Sequence, residues 1–334
     1  MFRMRTLLVL LLLLSGSFVE AAASYASETA ADSFVPETAA DSSVPETAAD
    51  SFVPETAADS SVSQTAEVSA SDRQCLQQIR QRSRDNGWTK ASRTDSLAAF
   101  FLNTPYVAAT LEHPDGEERV VVNLRQLDCL TLVENVVCLQ AWLDSLSQPG
   151  HPYVSEALQT ALYVRLLESV RYRGGQCRGY VSRLHYTSEW IADNRQKGFV
   201  TDLTDRFSPQ PYRPDVHYMS QHPESYPALR GRPERIRALA AVEAEVNRLC
   251  LEYIPKNQLG RWESQIPSGC IAAIVTSAEG LDIGHLGFTV RQDGQLHLLH
   301  ASSTAGRVVV SEKTLVEYLQ GIHRFTGLIL LSVN

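Results

Sequence analysis

Residues 73–334 are predicted to form an α+β domain in which a buried helix packs on an antiparallel β-sheet. Three observations carry this. Helical patterns fill the first part of the segment and strand patterns mostly the last, an order that favours an antiparallel sheet over alternating βαβ units. Residues 129–144 are apolar nearly all round, with Leu132, Val133, Val136, Val137, Leu139 and Leu143, as a buried helix requires. Near the C-terminal end, Asp293-Gly294 separates two apolar runs and is a strong two-residue hairpin signal.

The 334-residue chain begins outside that domain. Met1–Arg5 is basic, Leu7–Leu14 is apolar, and Ala21-Ala-Ala23 is small. Residues 1–23 therefore read as a secretory signal peptide, too short in its apolar part to span a bilayer. No Cys lies near the cleavage region to carry a lipid anchor, and no other segment approaches transmembrane length. A soluble, exported mature protein is expected. A nine-residue repeat, Glu-Thr-Ala-Ala-Asp-Ser-x-Val-Pro, then starts at Glu28, Glu37, Glu46 and Glu55, with Ser63 in place of the last Pro. Its acids, small residues and prolines cannot build a core, so residues 24–72 are read as a disordered acidic linker.

That linker holds ten acids and no Lys or Arg. Removing it and the leader's net +1 from the total of −8 leaves about +1 for residues 73–334. A nearly neutral domain points to no nucleic-acid partner. The six cysteines are Cys75, Cys129, Cys138, Cys177, Cys250 and Cys270. They show no Cys-x-x-Cys or His-rich metal spacing, so neither metal nor cofactor is expected.

Within the domain, residues 75–86 and 96–102 read as helices, the second ending before Thr104-Pro105. Val120–Leu124 is a strand candidate. Ser155–Val170 and Glu234–Leu251 are amphipathic helices. Residues 270–276, 285–290, 296–300, 307–310 and 328–333 read as strands, several of them β-branched. Ser311 is a possible cap for a helix running to His323. The stretch Tyr180–Pro227 is rich in Tyr, His, Arg, Pro and Trp, and fits either a binding cleft or a surface lid.

Cys129 directly follows Asp128, a preferred N-cap, and so starts the buried helix. A thiol there meets the positive helix end and unpaired N–H groups, which favour thiolate. If Asp293-Gly294 forms the hairpin loop, Gln292 faces Gln295, Gly287 faces His300 and His285 faces Ser302. His285 and His300 then share one face as diagonal neighbours, roughly 7–8 Å apart at Cα. Gly287 leaves room between them, and His297 turns to the opposite face. The pattern suggests Cys129 as nucleophile, His285 as general base and His300 as its orienting partner. Each residue alone is as readily structural; the combination is what chemistry needs.

Six segments in order carry a resemblance: Asn103–Val107, Leu127–Glu134, Arg171–Gly174, Tyr180–Tyr186, Gly280–Gly287 and Leu298–Ser303. The chain from about residue 75 onward resembles the papain-like NlpC/P60 superfamily of cell-wall hydrolases. Within it, the chain is similar to the DUF1460 family, N-acetylmuramoyl-L-alanine amidase-like. Asn103 and Cys270 stand where that family would have Gly and Asp. The resemblance implies a papain-like fold with a long middle insertion. It also implies substrate contacts at Tyr106, Ser182, Arg183, His185 and Tyr186. The implied reaction is hydrolysis of the amide between N-acetylmuramic acid and L-alanine in peptidoglycan fragments (muropeptides), 1,6-anhydro forms included, in the periplasm. The same site could instead cut the γ-D-glutamyl-diaminopimelate bond or transfer an acyl group. A non-catalytic muropeptide-binding protein is the alternative of a different class; protein partners are not indicated.

Overall fold

The computed structural model describes residues 66, 68–147 and 155–334. The expected signal peptide, the whole of the repeat and most of the expected linker lie outside these. Helix α1 (Ala70–Asp85) starts earlier than composition suggested, because Ser69 caps it through a bond from the Asp72 N–H to Ser69 Oγ at 3.0 Å. Asp72 is buried, and its carboxylate accepts from the Leu124 N–H (3.0 Å) and Arg125 Nε (3.2 Å). Residues 70–72 thus belong to the domain and not to the linker.

Helix α2 spans Lys90–Phe100, and α3 spans Cys129–Leu146. Asp128 and Thr131 close a reciprocal capping box at the start of α3: Thr131 N–H donates to Asp128 Oδ1 (2.8 Å) and Asp128 N–H to Thr131 Oγ1 (2.9 Å). Such a cap contributes about 1 kcal/mol and fixes where the helix begins. Helix α3 is apolar and long enough to cross a membrane by length and composition, yet most of it is buried inside the protein. Helix α4 (Glu156–Arg171) packs beside it, with Trp142 Nε1 donating to the Gln159 carbonyl at 2.8 Å.

Val120–Leu124 is not a strand. Side chains satisfy its backbone instead of a ladder: Arg171 Nη1 donates to the Val121 carbonyl (2.7 Å) and Asn135 Nδ2 to that of Asn123 (3.2 Å). Buried backbone groups must be paired, and polar atoms from two helices serve here.

The remaining helices are α5 (Thr187–Gln196), α6 (Tyr218–Gln221), α7 (Pro233–Val246), α8 (Leu259–Trp262) and α9 (Leu315–Gln320). The strands are β1 (Val200–Asp202), β2 (Gln210–Tyr212), β3 (Leu251–Pro255), β4 (Ile271–Thr276), β5 (Ile283–Gln292), β6 (Gln295–Ser302), β7 (Arg307–Thr314) and β8 (Phe325–Val333). They form one antiparallel sheet in the order β2-β3-β8-β4-β5-β6-β7, with β1 also on β8. Along β4, Ile271, Ala273 and Val275 join the core shared with α1–α4, while Ala272 and Ile274 join a second core under α9. Period-2 alternation thus places apolar side chains on both faces.

Two boundaries differ from the sequence reading. Helix α7 stops at Val246, and Leu251 opens β3, because the Asn247 amide turns to bond the backbone of Val216 through both its oxygen (2.6 Å) and its nitrogen (3.0 Å). Ser311 lies inside β7, where its hydroxyl accepts from Leu298 N–H (3.1 Å) and donates to the Lys313 carbonyl (2.7 Å) at a shift in register. The α9 cap is Thr314, boxed with Glu317. Asn103 takes φ +68, a left-handed conformation that Asn tolerates after Gly.

Candidate active site

The β5–β6 hairpin has the expected register, from Gln292↔Gln295 to Phe288↔Leu299. Asp293 and Gly294 both take positive φ, +51 and +83, as a type I′ turn demands. With that parity, His285 and His300 meet: His285 Nε2 and His300 Nδ1 are 2.7 Å apart, with ring planes perpendicular. Gly287 makes the approach possible. A Cβ there would stand 2.7 Å from the Leu299 carbonyl oxygen and 3.0 Å from His300 Cβ. His297 points away, bonding the Ser311 carbonyl through Nδ1 at 2.9 Å.

Cys129, at the first turn of α3, and His285 line one cavity of about 520 Å³. Because His300 occupies Nε2 of His285, Nδ1 is the nitrogen left for proton exchange. The backbone N–H groups of Leu286, Leu130 and Cys129 itself bond toward the sulfur and favour its anion. Burial outweighs them. It pushes the Cys129 thiol up to about 12, with the Asp128 carboxylate adding to the effect. Burial also lowers His285 to about 3, assisted by His300, and His300 to about 4. Desolvation thus opposes the helix-end contribution that favours thiolate.

Tyr106 also lines the cavity. Mutual backbone bonds hold its segment beside the start of α3, from Val107 N–H to the Leu127 carbonyl (3.1 Å) and from Leu127 N–H to that of Pro105 (3.0 Å). Ser182, Arg183, His185 and Tyr186 do not line it. Ser182 Oγ donates to the Gly179 carbonyl at 2.6 Å. Arg183 is buried against Glu112 and Glu118 and lies over the Tyr180 ring. The His185 Nε2 donates to the Tyr180 carbonyl at 2.8 Å, and Tyr186 Oη donates to Glu243 at 2.7 Å. Of the four, Arg183 reaches the cavity wall indirectly, by gripping Glu112, which does line it.

Sequence reasoning missed Glu112, Arg230 and Arg324 on the cavity wall, and Tyr318. The Tyr318 ring packs against both His285 (6.2 Å between centroids) and His300 (5.3 Å). A Tyr four residues after Thr314 on a capped helix was the available signal. Among the described residues, no three His, Cys, Asp or Glu side chains converge as metal ligands.

The sequence model of the N-acetylmuramoyl-L-alanine amidase-like family matches residues 96–326. A solved N-acetylmuramoyl-L-alanine amidase from Bacteroides uniformis is 35% identical, with TM-score 0.65, covering 73% of this chain and 99% of its own. A Bacteroides fragilis protein provisionally described as a xylanase is also 35% identical, with TM-score 0.63, covering 71% of this chain and 99% of its own. A Legionella pneumophila protein of the DUF1460 family shares the fold at 22% identity and TM-score 0.55, covering 78% and 95%. No curated protein matches. The chain belongs to the N-acetylmuramoyl-L-alanine amidase-like family.

Proposed function

We propose that the protein is a cysteine amidase of the papain-like NlpC/P60 type that hydrolyses the bond between N-acetylmuramic acid and L-alanine in peptidoglycan fragments, 1,6-anhydro forms included. The observation that carries this is the shared cavity of Cys129 and His285, with His285 tied at 2.7 Å to His300. The exported, periplasmic setting rests on the character of residues 1–23.

The Cys129 sulfur attacks the lactyl carbonyl carbon while its proton passes to His285 Nδ1. The N–H groups of Cys129, Leu130 and Leu286 are placed to receive charge near the sulfur, where the carbonyl oxygen becomes negative. Collapse breaks the C–N bond, and imidazolium His285 protonates the departing alanine amine. Water then attacks the thioester, gives its proton to His285, and the muramic carboxylate leaves as the thiol re-forms. His300 accepts from His285 Nε2–H and fixes the tautomer whose Nδ1 is free to act as base.

A glycosidase would need two carboxyl groups across the scissile bond. The cavity's two carboxylates are committed elsewhere, Glu112 to Arg183 and Asp128 to the α3 cap. Mass spectrometry of defined anhydro and reducing muropeptides, incubated with the protein and with Cys129→Ala, tests the proposal. Intact stem peptide plus free muramyl sugar is expected only from the unmodified protein. Cleavage within the stem would move the assignment to the γ-D-glutamyl-diaminopimelate endopeptidase. Binding without cleavage would make the protein a muropeptide-binding module.

A further inference from the structure

We propose that Arg324 forms a carboxylate-binding subsite of the cavity and selects substrates whose leaving peptide carries a free carboxylate. The inference rests on the amidase reading above and adds the substrate feature to which the site responds.

Arg324 is half-buried on the turn before β8 and lines the same cavity as Cys129 and His285. Its backbone is fixed: its carbonyl accepts from the Ser277 N–H (2.8 Å), Ser277 Oγ (3.2 Å) and Thr276 Oγ1 (3.3 Å). Lys256 Nζ pins the preceding His323 carbonyl at 3.1 Å. The guanidinium itself makes no hydrogen bond or ion pair among the described residues, while the Tyr318 phenol lies within its field. A guanidinium with open donors on a fixed backbone matches the planar fork of a carboxylate.

The charge balance of the cavity gives this its direction. Both acids on the wall are used internally, Glu112 by Arg183 and Asp128 by Thr131. Of the two wall cations, Arg230 donates twice to the Glu224 carbonyl (3.1 and 2.8 Å) and faces the Glu224 carboxylate at 4.0 Å. Arg324 has no such partner, and neighbouring wall residues such as Ala278, Leu281 and Ile283 are apolar. Arg324 is thus the wall cation without a carboxylate partner, and an apolar surround strengthens its pull on an anion. A peptide with a carboxylate beyond the scissile amide satisfies it; a neutral amide keeps one acceptor oxygen, loses the charge and leaves the second guanidinium donor facing an NH₂ group.

The test uses N-acetylmuramoyl-L-alanyl-D-glutamate as the free diacid, the two monoamides and the diamide. Hydrolysis is measured with the wild-type protein, Arg324→Ala and Arg324→Lys; binding is measured by calorimetry on Cys129→Ala with and without Arg324→Ala. The wild type should prefer diacid over diamide by about 10–100-fold in kcat/KM, carried mainly by KM. Arg324→Ala should bring that ratio near one by losing the diacid alone, and Arg324→Lys should recover part of it. The monoamides identify which carboxylate is read. An unchanged preference in Arg324→Ala, or no preference in the wild type, overturns the subsite. Arg324-dependent binding of the diacid without hydrolysis by the wild type sustains the subsite and sinks the amidase reading instead.

Discussion

Substitution Gly287→Ala separates the two histidines with the smallest possible change. An added Cβ would lie 2.7 Å from the Leu299 carbonyl oxygen and 2.8 Å from Leu298 Cδ1, whereas ordinary contact begins at 3.4 Å. The leucine methyl can rotate aside. The Leu299 oxygen is backbone, and it must retreat by about 0.7 Å to reach that limit, carrying His300, the next residue, with it. Overpacking of this kind costs about 1–3 kcal/mol. Misplacing a catalytic group by about 1 Å can cost on the order of 100-fold in rate. Urea unfolding should therefore show a loss of about 1–3 kcal/mol, and amide hydrolysis a fall of roughly 100-fold in kcat/KM at temperatures where the variant is folded. Gly294→Ala is the control: nothing lies within 4 Å of its Cβ, so it strains the turn at φ +83 but spares the histidines. A Gly287→Ala protein with reduced stability and wild-type kcat/KM would refute the reasoning.

Four further outcomes are expected. Hydrolysis requires neutral His285, which burial holds near 3 beside His300 near 4, so kcat/KM should stay level as pH falls through 6.5 and decline only toward the pair's joint titration. An acid limb centred at 6.5 would contradict this. By linkage, stability from the neutral pair is complete above 6.5 and lost as pH falls toward the folded-state values, because the unfolded chain binds protons first; urea unfolding across that range reads it. Arg171→Met strands the buried carboxylate of Glu134, whose bond to Arg171 Nε is 2.8 Å, and should cost about 3–5 kcal/mol. Adding Glu134→Leu should recover much of that; a single-variant loss below about 1 kcal/mol would count against the pair. Tyr318→Ala should admit water to the histidine pair and move the acid limb upward, while Tyr318→Phe should not; identical pH profiles in all three proteins would rule out a shielding role.

The histidine pair was legible in the sequence because each step depends on local geometry. Asp293-Gly294 sets the loop, the loop sets the register, and period 2 sets the face. Capping chemistry likewise places Cys129 at the first turn of α3. The family match over residues 96–326 agrees with the resemblance carried by the ordered motifs. What local pattern could not supply was solvation. Cys129 sits at a helix start, which argues for thiolate, but its burial depends on strands more than a hundred residues away and argues more strongly for thiol. In the proposed mechanism a neutral pair needs proton transfer as the sulfur attacks, so the orientation of His285 matters more than resting charge.

The segment Ser182–Tyr186 shows the limit most clearly. Arginine, histidine and tyrosine in a short run have the composition of a binding cleft and also that of a buried polar support. The two differ only in whether the chain supplies acceptors of its own. It does: Glu112 and Glu118 come to Arg183 from the segment that precedes α3 in the chain, and Glu243 comes to Tyr186 from α7. No periodicity encodes such pairings, because they are made across the fold. The same accounting, run in reverse, singles out Arg324. It stands in the cavity with rigid backbone support and no acceptor among the described residues. A buried wall satisfied from within can only position; a cation left unsatisfied in the same cavity as Cys129 is the group with binding energy still to give to a substrate.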